Sequence, residues 1–478
     1  MRSFGKIVPR DVIFPFTLLT SLFYAWGMSN NMTDTMLAAF KRIMSFSDSK
    51  TAWVQVACYL FGYGMMAIPG AIFIKRYSYK SGVILGLGMY VTGSMMFYLP
   101  IMYASIDPDI CYALYLVAIW VLFAGLSILE TACNSFIFAM GPEATGTQRL
   151  NFAQSFNPLG SISGVVISQM FVLSNLSHLT ATDRAGLSTE DLSAVQSQEL
   201  HAVSNVYITV GLVMLIILFL IALTKMPAMY EGDKVIDLRG TFKRLFRKKK
   251  YIWGLISQFF YVGAQIAVWS YIIRYVMAAL NLDEIITGLG PDPSDATVIE
   301  GLRHIDPLAS GFYSFCEFTG LDALLPRTAE QAGATYYIIS LILFVAMRFV
   351  CTALMKYFQP RTILSTLAIL AIVFCFGAIY LDGLTGVYSL VGISACMSLM
   401  WPTIYGQAIQ GLGNDTKMGG AGLVMTIAGG AILTQLMGVM SGMVDNQIQY
   451  AFWIPMIAFV VVAYYSIHII RPVPKNNN

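Results

Sequence analysis

The chain has 478 residues, of which 57% are hydrophobic and 12% are charged, and its formal net charge is +3. A soluble domain usually carries about 25% charged residues, so this composition excludes an ordinary soluble protein and indicates one that crosses a membrane many times. The seven cysteines form no C-x-x-C pair and the four histidines lack metal-ligand spacing, so no redox motif or metal site is expected. Phosphate-binding and nucleophile-elbow motifs are absent as well, which argues against an ATP-driven pump and against an enzyme.

Windows of about 20 apolar residues predict twelve membrane-spanning helices, called spans 1 to 12 below. The predicted segments are 12–40, 50–74, 81–103, 110–140, 148–174, 202–224, 251–280, 333–357, 361–380, 386–411, 417–442 and 449–470.

The connections between spans alternate in charge. The tail before span 1 and the connection after span 2 are basic, and connection 225–250 carries nine Lys or Arg against three Asp or Glu. Connection 281–332 carries two against nine. Because basic connections stay inside, both termini and 225–250 are predicted to be cytoplasmic, and 281–332 to lie on the opposite face.

The basic connection divides the spans six and six, and short segments recur in the same order in both halves. "IKRYSYKSGVI" after span 2 resembles "MKYFQPRTIL" after span 8, and "GPEATGTQR" after span 4 resembles "GNDTKMGG" after span 10. Chance similarity among Gly-rich helices is the alternative. Two six-helix repeats around a basic linker resemble the organisation of major facilitator transporters, whose site lies near the membrane midplane. The predicted fold is therefore an all-α membrane protein with halves 1–224 and 251–478 joined by linker 225–250.

Span 1 carries the first of two carboxylates predicted to lie inside the membrane. Asp34 shares a helical face with Trp26 and Asn30, which precede it by eight and four residues, and Asn31 lies three residues before it. A carboxylate at the bilayer centre costs about 2.5–3.5 kcal/mol on insertion scales, so such a residue indicates function.

Span 4 carries the second, Glu130, with Asn134 four residues later. A structural salt bridge is the alternative role, but the candidate partners Arg274 and Arg348 are placed toward span ends, where snorkelling explains them. Two acids without a metal site or an ATP motif predict proton coupling. Sodium coupling stays open, because carboxylates also bind Na⁺.

Spans 5 and 7 each carry a polar face. The residues that share these faces are Gln154, Asn157, Ser161 and Ser168 in span 5, and Gln258, Tyr261, Gln265 and Trp269 in span 7. Single amides often serve helix packing, but several polar stripes favour a binding cavity. Amides and acids bond hydroxyl groups, and an indole face covers the apolar C–H face of a sugar. An anionic substrate would require a mid-span Arg or Lys, and a lipophilic drug fewer amides, so the pattern predicts a neutral sugar.

Five segments carry a specific resemblance to bacterial L-fucose–proton symporters, a major facilitator family. They are "SLFYAWGMSNNMTD", "LETACNSF", "RLNFAQSFNPLG", "GAQIAVWSYIIRY" and "GNDTKMGGAGLVMTIAGG", and the resemblance extends over nearly all spans. It implies that Asp34 and Glu130 serve sugar binding and proton movement. It also implies a sugar cavity lined by Trp26, Asn31, Gln154, Asn157 and Trp269, with Gln265 on the same face of span 7.

The resemblance further implies import of L-fucose with the proton as coupling ion, no cofactor, and a location in a bacterial inner membrane. The expected partners are sugar, protons and membrane lipid but no nucleic acid, and a monomer is expected. Glu130 favours fucose, because glucose/galactose relatives tend to carry an amide there. Two features depart from the family: Trp401 stands where it has Tyr, and connection 281–332 is longer.

Rival functions are transport of another neutral hexose or pentose such as galactose or glucose, transport or antiport of a different polar solute, and a non-transporting sensor. The sequence also leaves open whether connection 281–332 is a lid, a partner site or a solvated insertion. The last is favoured, because long ordered loops are uncommon.

Overall fold

A computed structural model describes residues 8–9, 12–44, 56–103, 108–171, 186–227, 237–289, 295–443 and 447–470. The described residues form α-helices with short 3-10 and π-helical turns, and no strand occurs among them. Eight helical segments of this described part are long and apolar enough, by length and composition, to cross a membrane.

Each predicted span coincides with one helix or with consecutive helices. Spans 1 to 6 are formed by Ile13–Met44; Val56–Gly64 and Met65–Arg76; Tyr79–Met96 and Leu99–Tyr103; Pro108–Ala139; Gly146–Gln154 and Phe156–Phe171; and Thr189–Leu223. Spans 7 to 12 are formed by Lys249–Leu280; Ala329–Leu354; Pro360–Tyr380; Gly383–Met397 and Met400–Ile409; Thr416–Met425, Thr426–Ala428 and Gly429–Met443; and Ile448–Phe452, Trp453–Tyr464 and Tyr465–Ile469.

Two compact units are present. Apart from the first two residues, unit 1 comprises 3–251 with 409–428, and unit 2 comprises 252–408 with 429–478. The predicted halves 1–224 and 251–478, which are defined by the repeat, stay a prediction.

Prolines interrupt spans 5 and 10 in the same way. The break between the two helices of span 5 falls at Ser155, just before Pro158, and that of span 10 falls just before Pro402. Proline lacks the backbone N–H and clashes with the carbonyl four residues earlier, so each break leaves carbonyl groups without their helical donor. These groups need other donors, because the bilayer core supplies none.

Spans 1 and 5 pack at close range through glycines. A Cβ atom added at Gly160 would lie 1.9 Å from the Tyr24 carbonyl oxygen, and one at Gly164 would lie 2.3 Å from the Met28 carbonyl oxygen. On span 1, a Cβ at Gly27 would lie 2.0 Å from the Asn157 carbonyl oxygen. Small residues four apart let two membrane helices approach backbone to backbone, and here they bring Asn157 against span 1.

The basic linker contains a short helix, Leu238–Leu245, that is tied to the connection between spans 10 and 11. Arg244 donates from Nε and Nη2 to the two carboxylate oxygens of Asp415, both at 2.8 Å. This bidentate bond holds the pKa of the Asp415 carboxyl below its ordinary value. The linker, helix and connection all belong to unit 1.

Connection 281–332 is folded rather than extended. It contains the helices Leu282–Gly288, Asp295–Arg303 and Pro307–Thr319 and a 3-10 turn at Asp322–Leu324. Tyr313 and Cys316 are buried within it. The segment is therefore helical over much of its described length, and the expectation of a solvated insertion stays a prediction.

Candidate transport site

Spans 1 and 4 line a small, partly open cavity in unit 1. Its volume is about 10 Å³, room for about one water molecule, and its lining residues are Leu22, Phe23, Trp26, Leu129, Glu130 and Cys133. The structure thus brings together Trp26, a predicted sugar-binding residue, and Glu130, a predicted proton carrier. The remainder of the lining is apolar, so a charge or hydroxyl group in this cavity meets few competing polar partners.

Glu130 is 2% exposed. Neither of its carboxylate oxygens has a hydrogen bond to a described residue, and the Asn134 Nδ2 atom likewise lacks one. Burying an ionised carboxylate without a partner is costly, so the protonated form suits this environment and ionisation requires a ligand or a rearrangement. An acid in this position is suited to taking up and releasing a proton.

Asn134, one helical turn after Glu130 on span 4, is bonded to span 5. The Gln154 Nε2 atom donates to the Asn134 Oδ1 atom at 2.8 Å, and both side chains are buried. Because the Asn134 oxygen accepts this bond, the Asn134 nitrogen is the atom that can donate to Glu130, which lies four residues earlier on the same helix. Gln154, predicted to bind sugar, therefore has a protein partner that lies one turn from the acid.

The Trp26 ring is held by span 2. Its Nε1 atom donates to the Tyr63 hydroxyl at 2.7 Å, and the Ser127 hydroxyl of span 4 donates to the Tyr63 carbonyl oxygen at 3.0 Å. Tyr63 is 2% exposed and packs edge-on against Phe123. Because the indole N–H is already satisfied, the face of the Trp26 ring is the part that can contact a substrate.

Asn157 sits at the crossing of spans 1 and 5. Its Nδ2 atom donates to the Phe23 carbonyl oxygen at 3.3 Å, and the side chain is half-buried. The amide oxygen has no hydrogen bond to a described residue and can accept one from a hydroxyl group. Asn31 and Asp34 lie in the helix Ile13–Met44, but their side chains fall outside the described part of the chain, so their roles stay predictions.

Trp269 lies in an aromatic environment of unit 2. Phe344 packs edge-on against its ring with a centroid distance of 5.1 Å, and Tyr337 does so at 6.3 Å. Its Nε1 atom donates to the Ser394 hydroxyl at 3.3 Å. Gln265, one turn earlier, is half-buried, and its amide has no hydrogen bond to any residue in the described ranges.

The other two polar residues of the span 7 face have a different use. Tyr261 donates its hydroxyl to the Met397 carbonyl oxygen at 2.9 Å, and the Gln258 Nε2 atom donates to the Trp401 carbonyl oxygen at 3.4 Å. Both acceptors flank the break in span 10. The one face of span 7 therefore divides into Gln265 and Trp269, which stay free of backbone bonding, and Gln258 and Tyr261, which stabilise a broken helix.

The expectation that Arg348 snorkels toward the end of its span is wrong, because the side chain is buried. It is 4% exposed, its Nε atom donates to the Ser398 carbonyl oxygen, and its guanidinium lies 4.6 Å from the Phe344 ring centroid. Ser398 is the residue four before Pro402, so its carbonyl is the one that the proline frees. The signals in the sequence are that proline and the four-residue spacing of Phe344 and Arg348. Arg274, by contrast, is exposed, as expected.

Trp401, which replaces the Tyr of the resembling family, is a buried residue. Its ring stacks on Tyr405 with a centroid distance of 5.2 Å and an interplanar angle of 14°. Its backbone carbonyl rather than its side chain receives the bond from Gln258. The substitution therefore keeps an aromatic ring at this position while removing a hydroxyl group.

The helical fold and the buried acid in an apolar cavity are features of a secondary transporter. Residues 17–433 match the family model of the Major Facilitator Superfamily, and the chain belongs to this superfamily. Its fold is accordingly that of a twelve-span transporter, as predicted.

Among individual proteins, the chain is similar to the L-fucose-proton symporter of Haemophilus influenzae, with 36% identity over 97% of this chain and 98% of that one. It is 34% identical to the L-fucose-proton symporter of Escherichia coli, over 95% of this chain and 92% of that one. A crystal structure of the transporter FucP in the outward conformation superimposes with a TM-score of 0.79 and 33% identity, covering 96% of this chain and 99% of that one.

Proposed function

We propose that this protein is a proton-coupled symporter that imports L-fucose by alternating access. The observation that carries the proposal is the buried Glu130, which lines one cavity with Trp26 and lies one helical turn from Asn134, the partner of Gln154. The full-length similarity to two L-fucose-proton symporters supplies the substrate. The protein is a transporter and not an enzyme, and the proton is its coupling ion, so no cofactor is needed.

In the proposed mechanism the aromatic rings and the amides contact different parts of the sugar. The face of Trp26 covers the apolar side of the sugar, and Trp269 is assigned the same role. Asn31, Gln154, Asn157 and Gln265 bond the sugar hydroxyls. L-Fucose suits such a lining, because its C6 methyl group gives it a larger apolar surface than a hexose with a hydroxyl at that carbon.

Asp34 and Glu130 couple the sugar to the proton. A protonated Asp34 donates to a sugar hydroxyl and lets the loaded carrier change access without a buried charge, whereas the ionised form resists that change. Glu130 relays the proton within the same half. Coupling is reciprocal, so sugar binding increases the affinity of the acids for the proton by the same factor that protonation increases the affinity for sugar.

A second candidate substrate is another neutral sugar such as galactose or glucose. A binding assay on the purified protein with fucose, galactose, arabinose and glucose separates the candidates. The proposal requires fucose to bind most tightly, and tighter binding of glucose would reassign the substrate while leaving the coupling mechanism in place.

Removing one of the amides that are proposed to bond the sugar is expected to weaken sugar binding. Gln154→Ala, Asn157→Ala and Asn31→Ala each leave a sugar hydroxyl unpaired, which costs about 1–3 kcal/mol, or roughly 5- to 150-fold in Kd. Isothermal titration of purified variants measures this. Asn205→Ala, at an exposed amide of span 6, is the control and should bind like the parent. Unchanged affinity in all three amide variants would place the sugar elsewhere.

We also propose that the chain is a monomer in a bacterial inner membrane, with both termini and the basic linker 225–250 in the cytoplasm. Protease added to the outer face of right-side-out vesicles should then cut within 281–332, where Arg327 is exposed, and should spare 225–250 until the vesicles are opened. Fragment sizes on a gel report the cut site. Cleavage of 225–250 in sealed vesicles would reverse the topology.

A further inference from the structure

The helix Pro307–Thr319 in the connection between spans 7 and 8 has three distinct faces. Ala309, Tyr313 and Cys316 form a buried face at helical spacing. Ser310, Ser314 and Glu317 form a polar face. The third face is apolar and largely exposed, and it consists of Leu308, Phe312, Phe315 and Phe318.

The apolar face is unusual in its exposure. Phe318 is 90% exposed, Phe315 is 55% exposed and Leu308 is 44% exposed. Together with the half-buried Phe312, these three side chains recur every three or four residues and make a continuous apolar patch, and such patches mark interaction surfaces. The polar face is occupied, because Arg303 donates to Glu317 at 2.5 Å and to the Ser314 hydroxyl at 3.3 Å.

The start of this helix is attached to two spans. Asp306 caps it by accepting from the Leu308 backbone N–H at 2.9 Å, and the same carboxylate accepts from the Tyr388 hydroxyl of span 10. Tyr336 of span 8 interacts with this carboxylate as well. Asp306 is fully buried, so the attachment is part of the packed structure of unit 2.

This attachment fixes the height of the helix along the spans. Tyr388 lies five residues after Gly383, where span 10 begins, which is about 7.5 Å along the helix axis at 1.5 Å per residue. A tyrosine side chain reaches about that far, so Asp306 and the first turn of the helix lie level with the end of span 10. Tyr388 is itself 40% exposed, and Leu381, at the adjoining end of span 9, is 50% exposed. The apolar face therefore begins where the apolar outer surface of the spans ends.

We propose that Pro307–Thr319 is a membrane-interface helix whose face of Leu308, Phe312, Phe315 and Phe318 is inserted among the lipids. One face packs on the protein, one meets the lipid and one, with Arg303 and Glu317, meets water. This division into an apolar and a charged side is what a helix lying in the plane of the interface requires, and aromatic residues are favoured at that depth. Asp306 holds the helix at this level.

Spin labels distinguish lipid from water on this helix. Phe315→Cys and Glu317→Cys are compared in full-length protein reconstituted into vesicles of phosphatidylethanolamine and phosphatidylglycerol. The two positions are both exposed and, being two residues apart, lie on nearly opposite sides of the helix. All seven native cysteines are buried. At position 315 the label should be more accessible to oxygen than to a water-soluble nickel chelate, and at position 317 the order should be reversed.

Three outcomes would overturn the proposal. Chelate access at 315 equal to that at 317 would make the patch a solvated or partner-binding face. Spin–spin broadening that grows with the protein-to-lipid ratio at 315 would make it an interface between two copies. Phe318→Cys provides a second reading of the apolar face if Phe315→Cys does not fold, and a water-like label there would contradict the proposal equally.

Discussion

Glu130→Gln is expected to abolish proton-driven accumulation of sugar while preserving counterflow exchange. Glutamine has the shape of the protonated acid and is always neutral, so it leaves the cavity and the neighbouring Asn134 largely undisturbed but cannot carry a proton. In proteoliposomes the internal sugar concentration should rise no higher than the external one, whatever the imposed pH gradient. Addition of sugar should produce no pH change.

The control for this prediction is Glu190→Gln, the same substitution at an exposed carboxylate near the start of span 6. It should accumulate sugar like the parent. Asp34→Asn is expected to differ from both, because it should disturb sugar binding as well as coupling. If Glu130→Gln still acidifies the lumen and concentrates sugar, Glu130 is not the proton relay.

Arg348→Met should destabilise the protein and reduce transport, although the residue lies on span 8 and not on the span it stabilises. The substitution removes the donor to the Ser398 carbonyl, which Pro402 has deprived of its helical partner. Leaving a buried acceptor unsatisfied costs about 1–3 kcal/mol, and loss of the contact with Phe344 adds to this. A lower midpoint of thermal unfolding in detergent, together with slower uptake, is the expected result.

Arg274→Met is the matched control, because Arg274 is exposed and lies over the Tyr271 ring without a bond to span 10. It should change the unfolding midpoint little. Pro402→Ala combined with Arg348→Met is informative too, since restoring the helical N–H should recover part of the lost stability. Equal unfolding midpoints for the parent and Arg348→Met would show that Arg348 does not hold the break.

The spans and the buried acid could be predicted from the sequence because both depend on properties local to one helix. Twenty consecutive apolar residues suffice to identify a span, and a carboxylate inside such a segment can be recognised directly from the sequence as a membrane-buried acid. The stabilisation of the helix breaks could not be predicted in the same way. Pro158 and Pro402 show where a helix is interrupted, but not which side chains bond the carbonyl groups that the break leaves free.

The partners of the polar residues could not be predicted, because they depend on contacts between distant segments. Gln258 and Tyr261 share a face with Gln265 and Trp269, and nothing in that spacing distinguishes a side chain that bonds a neighbouring backbone from one that lines a cavity. The burial of Arg348 could not be predicted for the same reason. Its acceptor, the Ser398 carbonyl, is 50 residues away and is free to accept only because of a proline on span 10. The roles of Asn31 and Asp34 remain predictions.

The glycine contacts between spans 1 and 5 have a consequence for the transport cycle. With backbones this close, Trp26 and Asn157 cannot change their separation without breaking the contact at Gly27, Gly160 and Gly164. The two residues, which we propose bind sugar, therefore move as one rigid group, and a distance measured between probes on spans 1 and 5 should be the same in outward-open and inward-open protein. In the proposed mechanism, sugar is then released by movement of other residues away from this group.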